Sequence, residues 1–335
     1  MNRSIAVAMF GMLCGQAAAE PSHELVFQLK ASVVKVITST KSGGQGVGTG
    51  VVVSQDHVAT SCHVLANANG ITIRKMGENH LPVAMKADWK HDICLLRFQG
   101  LPLTPVPLGD SENLQYEQPV FSIGFPGGVP KPQVTTGKIK ALYIHDDSQI
   151  IRTSTSFIMG ASGSPVLDDN GKIIGINTFK SPGRDAYFYN IPVKWVKKLL
   201  DAPETSTIQQ EDLPFWDAPE ELRPFFMRVV LPLQAEHWSE LEQIAVLWTE
   251  REPASPEAWH YLGLAQDRQG KPGQAISNYQ KVLVLNPHHP ATLFEIGMMA
   301  SRAGDRAEVE KMLLALNEID EDMAEELRRA IRGVH

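Results

Sequence analysis

The chain has 335 residues, 43% hydrophobic and 21% charged, with a net charge of −7. That length allows about two domains, each with a core of its own, and the composition is that of a soluble globular protein. No apolar run approaches the roughly 18 to 20 residues of a bilayer span, and no clustered basic residues offer a nucleic-acid footprint.

Residues 1–19 read as a secretory signal peptide. Arg3 is the positive n-region, residues 5–13 the short apolar h-region, and Ala17-Ala18-Ala19 a cleavage site before Glu20. Leu13 before Cys14 does not fit a lipoprotein box, which prefers a small residue there. The expectation is a periplasmic or secreted protein with no membrane span after cleavage. Export removes Cys14 and leaves two cysteines, Cys62 and Cys94. Charge is uneven in the remainder: residues 20–202 carry 18 basic and 15 acidic residues, 203–220 carry five acidic and none basic, and 221–335 carry 12 basic and 18 acidic.

Short β-branched runs separated by Gly, Pro, Asn and Asp fill residues 25–195. Strands are predicted at 33–37, 50–53, 71–74, 93–98, 120–123, 150–153 and 173–177. Without helical periods between them, they indicate an all-β barrel or sandwich rather than a parallel α/β sheet. A short helix at 193–200 closes this domain, taken as 20–202. The acidic stretch 203–220 reads as a linker. Phe215 and Trp216 interrupt it, and because exposing them is costly they are expected to dock on a neighbouring domain.

From residue 221 to 335 the periodicity is helical, with a 34-residue repeat. In 256–289, Trp259, Leu262, Gly263, Ala275, Tyr279 and Pro287 occupy the positions of a tetratricopeptide (TPR) repeat. A weaker copy follows at Leu293, Ile296, Gly297, Val309 and Leu313, and Phe225, Leu241 and Pro253 make a weaker one before it. Residues 320–333, with Met323, Leu327 and Ile331 on one face, suit a terminal capping helix. An all-α TPR-like domain is expected, offering a surface for a protein partner. Its acidic residues either face such a partner or are solvated helix faces.

Three segments carry chemistry. Gly160-Ala161-Ser162-Gly163-Ser164-Pro165 surrounds a serine with small residues, allowing a tight turn that aims the N–H groups of Gly160 and Ser162 into one oxyanion hole. Ser164 stands where the nucleophile elbow of α/β-hydrolases requires Gly. Val58-Ala59-Thr60-Ser61-Cys62-His63 ends a strand on a histidine. His91-Asp92-Ile93-Cys94 opens a buried strand with an acid, which needs a partner there. Asp88 is a rival acid, but it precedes Trp89-Lys90-His91 as an exposed turn residue. His57, His80 and His91 are expected in solvated turns. The order His63, Asp92, Ser162 is that of chymotrypsin-like proteases. Cys62, His63, His91 and Cys94 lack zinc-ligand spacing, and adjacent strand residues point to opposite faces, so no metal or cofactor is expected.

With these segments the chain resembles the HtrA/Deg family of exported serine proteases. The further matching stretches are Gly48-Thr49-Gly50-Val51-Val52, Ile123-Gly124-Phe125-Pro126, Thr136-Gly137-Lys138-Ile139, Asn170-Gly171-Lys172-Ile173-Ile174-Gly175-Ile176-Asn177-Thr178 and Ile191-Pro192, in the family's order. The resemblance implies two six-stranded barrels with a cleft between them and protein or peptide substrates. His63 is then the general base, Asp92 its orienting acid, Ser162 the nucleophile, and Gly160 with Ser162 the oxyanion hole. An ungapped nucleophile loop puts Ser156 at the floor of the P1 pocket with Phe157 beside it, unless Phe157 points into the core. Ile176 and Asn177 are the remaining substrate-binding candidates. The sequence departs from the family at Ser164, which replaces a Gly, and in lacking a PDZ-like region, whose place the helical repeats take. Ala161, which cannot bind a freed N-terminal ammonium, argues against zymogen activation by that route. A protease fold that merely supports a TPR binding scaffold is the alternative function.

Cys62 precedes the base and Cys94 lies two residues past the acid, on the same strand face as Asp92. If Asp92 reaches His63, the two thiols meet, and an even cysteine count in an exported chain favours a disulfide over two buried thiols.

Overall fold

The computed structural model describes residues 20–40, 43–205, 210 and 212–333. The signal-peptide reading lies outside the described residues. A helix, α1 (His23–Ala31), capped by the Ser22 hydroxyl on the Leu25 N–H, leads into the strands.

Seven strands build the first sheet: β1 (Val33–Thr40), β2 (Gln45–Val52), β3 (His57–Thr60), β4 (Ala68–Lys75), β5 (Glu78–His80), β6 (Ala84–Asp88) and β7 (Ile93–Arg97), ordered β5-β4-β1-β2-β3-β7-β6. Along β1 and β4 burial alternates in steps of two, as a strand with one face on a core requires. Val34, Val36, Val52, Val58, Ile73 and Leu96 from these strands form that core, with Leu65 and the half-cystines Cys62 and Cys94. The expected six-stranded barrel is here a seven-stranded sheet whose end strands, β5 and β6, do not pair with each other. Leu81, Pro82 and Val83 separate them, and proline has no N–H to donate to a ladder. Met85 of β6 instead bridges to Thr205, beyond the barrels.

The second half is a closed six-stranded barrel, as the family resemblance implies: β8 (Pro119–Gly124), β9 (Gln133–His145), β10 (Ser148–Thr153), β11 (Pro165–Leu167), β12 (Ile173–Lys180) and β13 (Phe188–Pro192), ordered β10-β13-β12-β11-β8-β9. All seven strands expected from sequence form. Helix α2 (Val193–Leu200) follows, burying Val193, Trp195, Val196 and Leu199.

The helical region comprises α3 (Phe225–Arg228), α4 (Val230–Gln234), α5 (Trp238–Arg251), α6 (Pro256–Arg268), α7 (Pro272–Leu285), α8 (Pro290–Ala303), α9 (Arg306–Ile319) and α10 (Glu321–Gly333). The 34-residue period is structural, since α6–α7 is one hairpin and α8–α9 the next. A Cβ on Gly263 would stand 2.7 Å from the Tyr279 ring, so the absent side chain lets α6 and α7 approach. Helix α10 closes the stack with Ala324 and Leu327 buried, as expected of a cap. The weak first copy has only the short α3 and α4 before α5, with Pro224 at the start of α3 and Pro232 within α4.

One apolar cluster runs from Leu29 through Phe121 and Ile176 of the barrel to Phe226, Trp248 and Ala265 of the helices. Phe226 stacks on Tyr143 of β9 at 4.4 Å, and the Tyr116 hydroxyl donates to Asp320 at 2.6 Å. A cavity of about 960 Å³, lined in part by Arg152, Tyr143, Trp248 and Tyr261, lies between barrel and helices; His63, Asp92 and Ser162 do not line it.

Candidate active site

His63 sits in a single 3₁₀ turn, Cys62–Val64, directly after β3. Asp92 precedes β7, the neighbour of β3 in the sheet. The backbone of Asp92 is left-handed, with φ of 58°, a conformation that Asp tolerates better than most residues. That kink brings its side chain to the 3₁₀ turn. Asp92 Oδ2 accepts from His63 Nδ1 at 2.7 Å, and Oδ1 accepts from the His63 backbone N–H at 2.7 Å. The Asp92 carboxylate is fully buried, and its Oδ2 also accepts from the Thr178 hydroxyl and, at 3.1 Å, from the Trp216 indole N–H.

Burial opposes the charged imidazole, but the charge and hydrogen bond of Asp92 and the more distant charge of Asp217 outweigh it and raise the pKa of His63. With Nδ1 held by Asp92, Nε2 is the nitrogen left for other work.

Ser162 lies on the turn between β10 and β11, and that turn is locked to both halves. The Ser162 carbonyl accepts from Thr49 N–H of β2 at 2.8 Å, and Gly163 N–H donates to the Asn177 carbonyl of β12 at 2.8 Å. The Thr49 hydroxyl donates to the Gly160 carbonyl at 2.8 Å. Gly163 has φ of 88°, and a Cβ there would fall 2.0 Å from the Thr49 carbonyl oxygen, so only glycine permits this approach. Gly160, with φ of 93°, presses similarly on the Phe125 carbonyl. A Cβ on Gly163 would also meet Ser61, two residues before His63. The serine turn and the histidine turn are therefore adjacent. Among the described residues, the N–H groups of Gly160 and Ser162 and the Ser162 hydroxyl have no hydrogen-bond partner. Ser164 is buried with its Oγ tight against Gly124, which has no side chain to obstruct it.

The substrate-binding candidates separate. Ser156 is exposed, followed by exposed Ile158 and Met159, while Phe157 is buried against Phe188 at 5.1 Å. Phe157 thus packs as the core alternative has it. Ile176 and Asn177 lie behind the serine turn: both side chains are buried, and the Asn177 carbonyl already accepts from Gly163 N–H and the Ser61 hydroxyl. Both faces of β12 are buried here, so the two side chains pack within the barrel.

Asp88 does not compete with Asp92. It bonds His91 Nδ1 at 2.6 Å, while His91 Nε2 meets Asp146 at 2.8 Å and the ring lies 3.9 Å from that of Trp195. His91 is thus half-buried rather than solvated, and His57 is buried against Asp56 and Ser54. Cys62 and Cys94 form a disulfide with Cα atoms 5.0 Å apart, tying the histidine turn to the strand that follows Asp92. Two partners of Asp92 carried no expected role. Thr178 ends the Ile-Asn-Thr stretch already matched to the family, and Trp216 was expected only to dock.

Antiparallel barrel strands, a buried Asp–His pair and a glycine-framed serine turn define a chymotrypsin-like peptidase domain. Residues 48–176 match the trypsin-like peptidase domain, and residues 256–289 match the tetratricopeptide repeat. A probable periplasmic serine endoprotease DegP-like of Chlamydia trachomatis serovar D is 32% identical over 164 residues, covering 46% of this chain and 33% of that protein. A protein of the same description from Pseudomonas putida strain W619 is 34% identical over 140 residues, covering 40% of this chain and 29% of its own length. The chain thus spans about a third of the length of these curated relatives. The Rv3671c protease from M. tuberculosis, in its active form, superposes with a TM-score of 0.51 at 21% identity, over 61% of this chain and 98% of that one, a likeness of fold. The chain thus carries a region similar to trypsin-like peptidase domains, followed by helices that match a tetratricopeptide repeat. Among the described residues, no helix is long and apolar enough to cross a membrane.

Proposed function

We propose that this protein is an exported serine endopeptidase working through a His63-Asp92-Ser162 triad and an acyl-enzyme. The observation that carries the reading is the doubly bonded Asp92–His63 pair beside a serine turn with two unpartnered N–H groups. Ser162 Oγ attacks the scissile carbonyl carbon while His63 Nε2 takes its proton. The N–H groups of Gly160 and Ser162 receive the oxyanion. His63 then protonates the departing amine, leaving an ester on Ser162 that water, activated by the same imidazole, hydrolyses. Asp92 keeps its negative charge throughout and holds the tautomer.

Exposed Ser156, Ile158 and Met159 offer a neutral pocket floor and apolar flank, favouring aliphatic P1 residues. Residues 20–202 form the protease domain, 203–220 the connecting segment, and 221–335 the domain that binds a partner or substrate. Export is supported by the leader-like residues 1–19 and by relatives named periplasmic.

The test is peptide-library cleavage by purified residues 20–335 with mass analysis of products. Internal cleavage after aliphatic residues, abolished by Ser162→Ala, is expected. A folded wild type that cleaves nothing contradicts the reading and leaves the scaffold alternative.

A further inference from the structure

Asp92 Oδ2 serves three donors, and one of them comes from outside both halves of the β domain. Trp216, from the acidic connecting segment, gives its indole N–H to the oxygen that holds His63 Nδ1. The indole stands edge-on to the His63 ring, with centroids 5.4 Å apart and planes at 89°. Its face stacks on Phe179 at 5.6 Å, the residue after Thr178. Phe215 fixes the neighbouring backbone, with its ring buried 4.7 Å from that of His145 and its N–H donating to the Lys90 carbonyl at 2.9 Å. The indole is therefore held from two sides in one orientation.

We infer that Trp216 is a positioning residue for the His63–Asp92 pair, so that the site is complete only when the connecting segment is docked. The inference rests on the triad reading. A buried carboxylate must have its lone pairs met by donors, because each one left bare costs free energy. Oδ1 is met by the His63 backbone. Oδ2 is met by the His63 ring, Thr178 and Trp216. Packing alone needs no N–H aimed at Asp92. Obstruction of the site does not fit either, since the His63 side chain keeps 27% of its exposure and Ser162 is also partly exposed. The indole flanks the imidazole and leaves it open.

Among the described residues, the charged groups acting on His63 are Asp92, from the turn before β7, and Asp217, adjacent to Trp216. Replacing Trp216 by Phe keeps an aromatic wall and removes one donor from Asp92. The carboxylate then concentrates its charge on the imidazolium, so the midpoint of His63 moves to higher pH. A purely packing role leaves that midpoint where it is.

Residues 20–335, wild type and Trp216→Phe, are compared in two ways. One is the pH titration of the downfield His63 Nδ1 proton by NMR, assigned by its loss in His63→Ala. The other is kcat/KM against pH. Trp216→Phe is expected to fold with a lowered melting temperature, to titrate at higher pH, and to lose about ten-fold in kcat/KM, the scale of one hydrogen bond to a charged group. Trp216→Leu, lacking ring and donor, is the second variant should Phe fail to fold, and its loss in kcat/KM is larger. An unchanged proton titration with unchanged kcat/KM in a folded variant overturns the inference. A wild type that cleaves nothing defeats the protease reading instead, and the proton titration still decides the role of Trp216.

Discussion

On one side of the candidate site, every oxygen of Asp92 is occupied: four donors from β12, the connecting segment and the histidine turn converge on it. On the other side, the turn around Ser162 is fixed by its carbonyl and by glycine contacts, while its hydroxyl and two N–H groups have no partner among the described residues. The same physics governs both. A buried charge must be saturated, whereas a group that has to meet a substrate is useful only if it is left unsaturated and held still. The base side is therefore expected to respond in degrees as its donors are removed, and the nucleophile side to respond all at once.

Ser162→Ala or His63→Ala should each lower kcat by about a million-fold, with the double variant little worse, because the pair acts as a unit. Steady-state kinetics on a peptide identified by library cleavage read this directly, and additive losses would break the account. Asp92→Asn should cost less, about ten-thousand-fold, by leaving the imidazole in the wrong tautomer.

The disulfide sharpens the comparison from the base side. Cys62 and Cys94 are 32 residues apart in sequence, and opening that loop should cost about 3 to 4 kcal/mol by the chain-entropy relation. A fall in melting temperature of roughly 10 °C is expected on reduction or in Cys62→Ala, together with a loss of activity. Equal melting curves would remove the disulfide from the account. Thr178→Val removes one donor from Asp92 and should cost about ten-fold in kcat/KM with the fold intact. The smallest effect is in pH. His63 must be neutral to act, and its pKa is raised, so activity falls on acidification with a midpoint above the ordinary imidazole value of 6.5. A midpoint below that value would mean that Asp92 does not bear on His63.

Much of this architecture is legible in the sequence, for reasons that differ by element. The β-branched and apolar run Ile-Cys-Leu-Leu between polar turns points to a buried strand, and the 34-residue spacing of Leu262-Gly263 and Ile296-Gly297 points to stacked helix pairs. The strand β9 was missed because its Thr, Gly and Lys residues leave one side half-exposed and blur the alternation. The open first sheet was not foreseen, because closure depends on which edges meet rather than on any local pattern. His91 was misplaced because a histidine in a polar turn looks solvated until Asp146, 55 residues away in sequence, arrives beside it. Phe215 and Trp216 were correctly expected to dock, since two large aromatics in an acidic segment need cover. Their destination was not readable, because nothing local to Trp216 points to an aspartate 124 residues earlier.

The most direct test of the triad is covalent. Purified residues 20–335 are treated with a fluorophosphonate at neutral pH, and the intact mass and the peptide map are measured. One adduct per chain, located on Ser162, absent in Ser162→Ala and much slowed in His63→Ala, is the predicted result. A folded wild type that takes no label, or that carries it on another residue, contradicts the account.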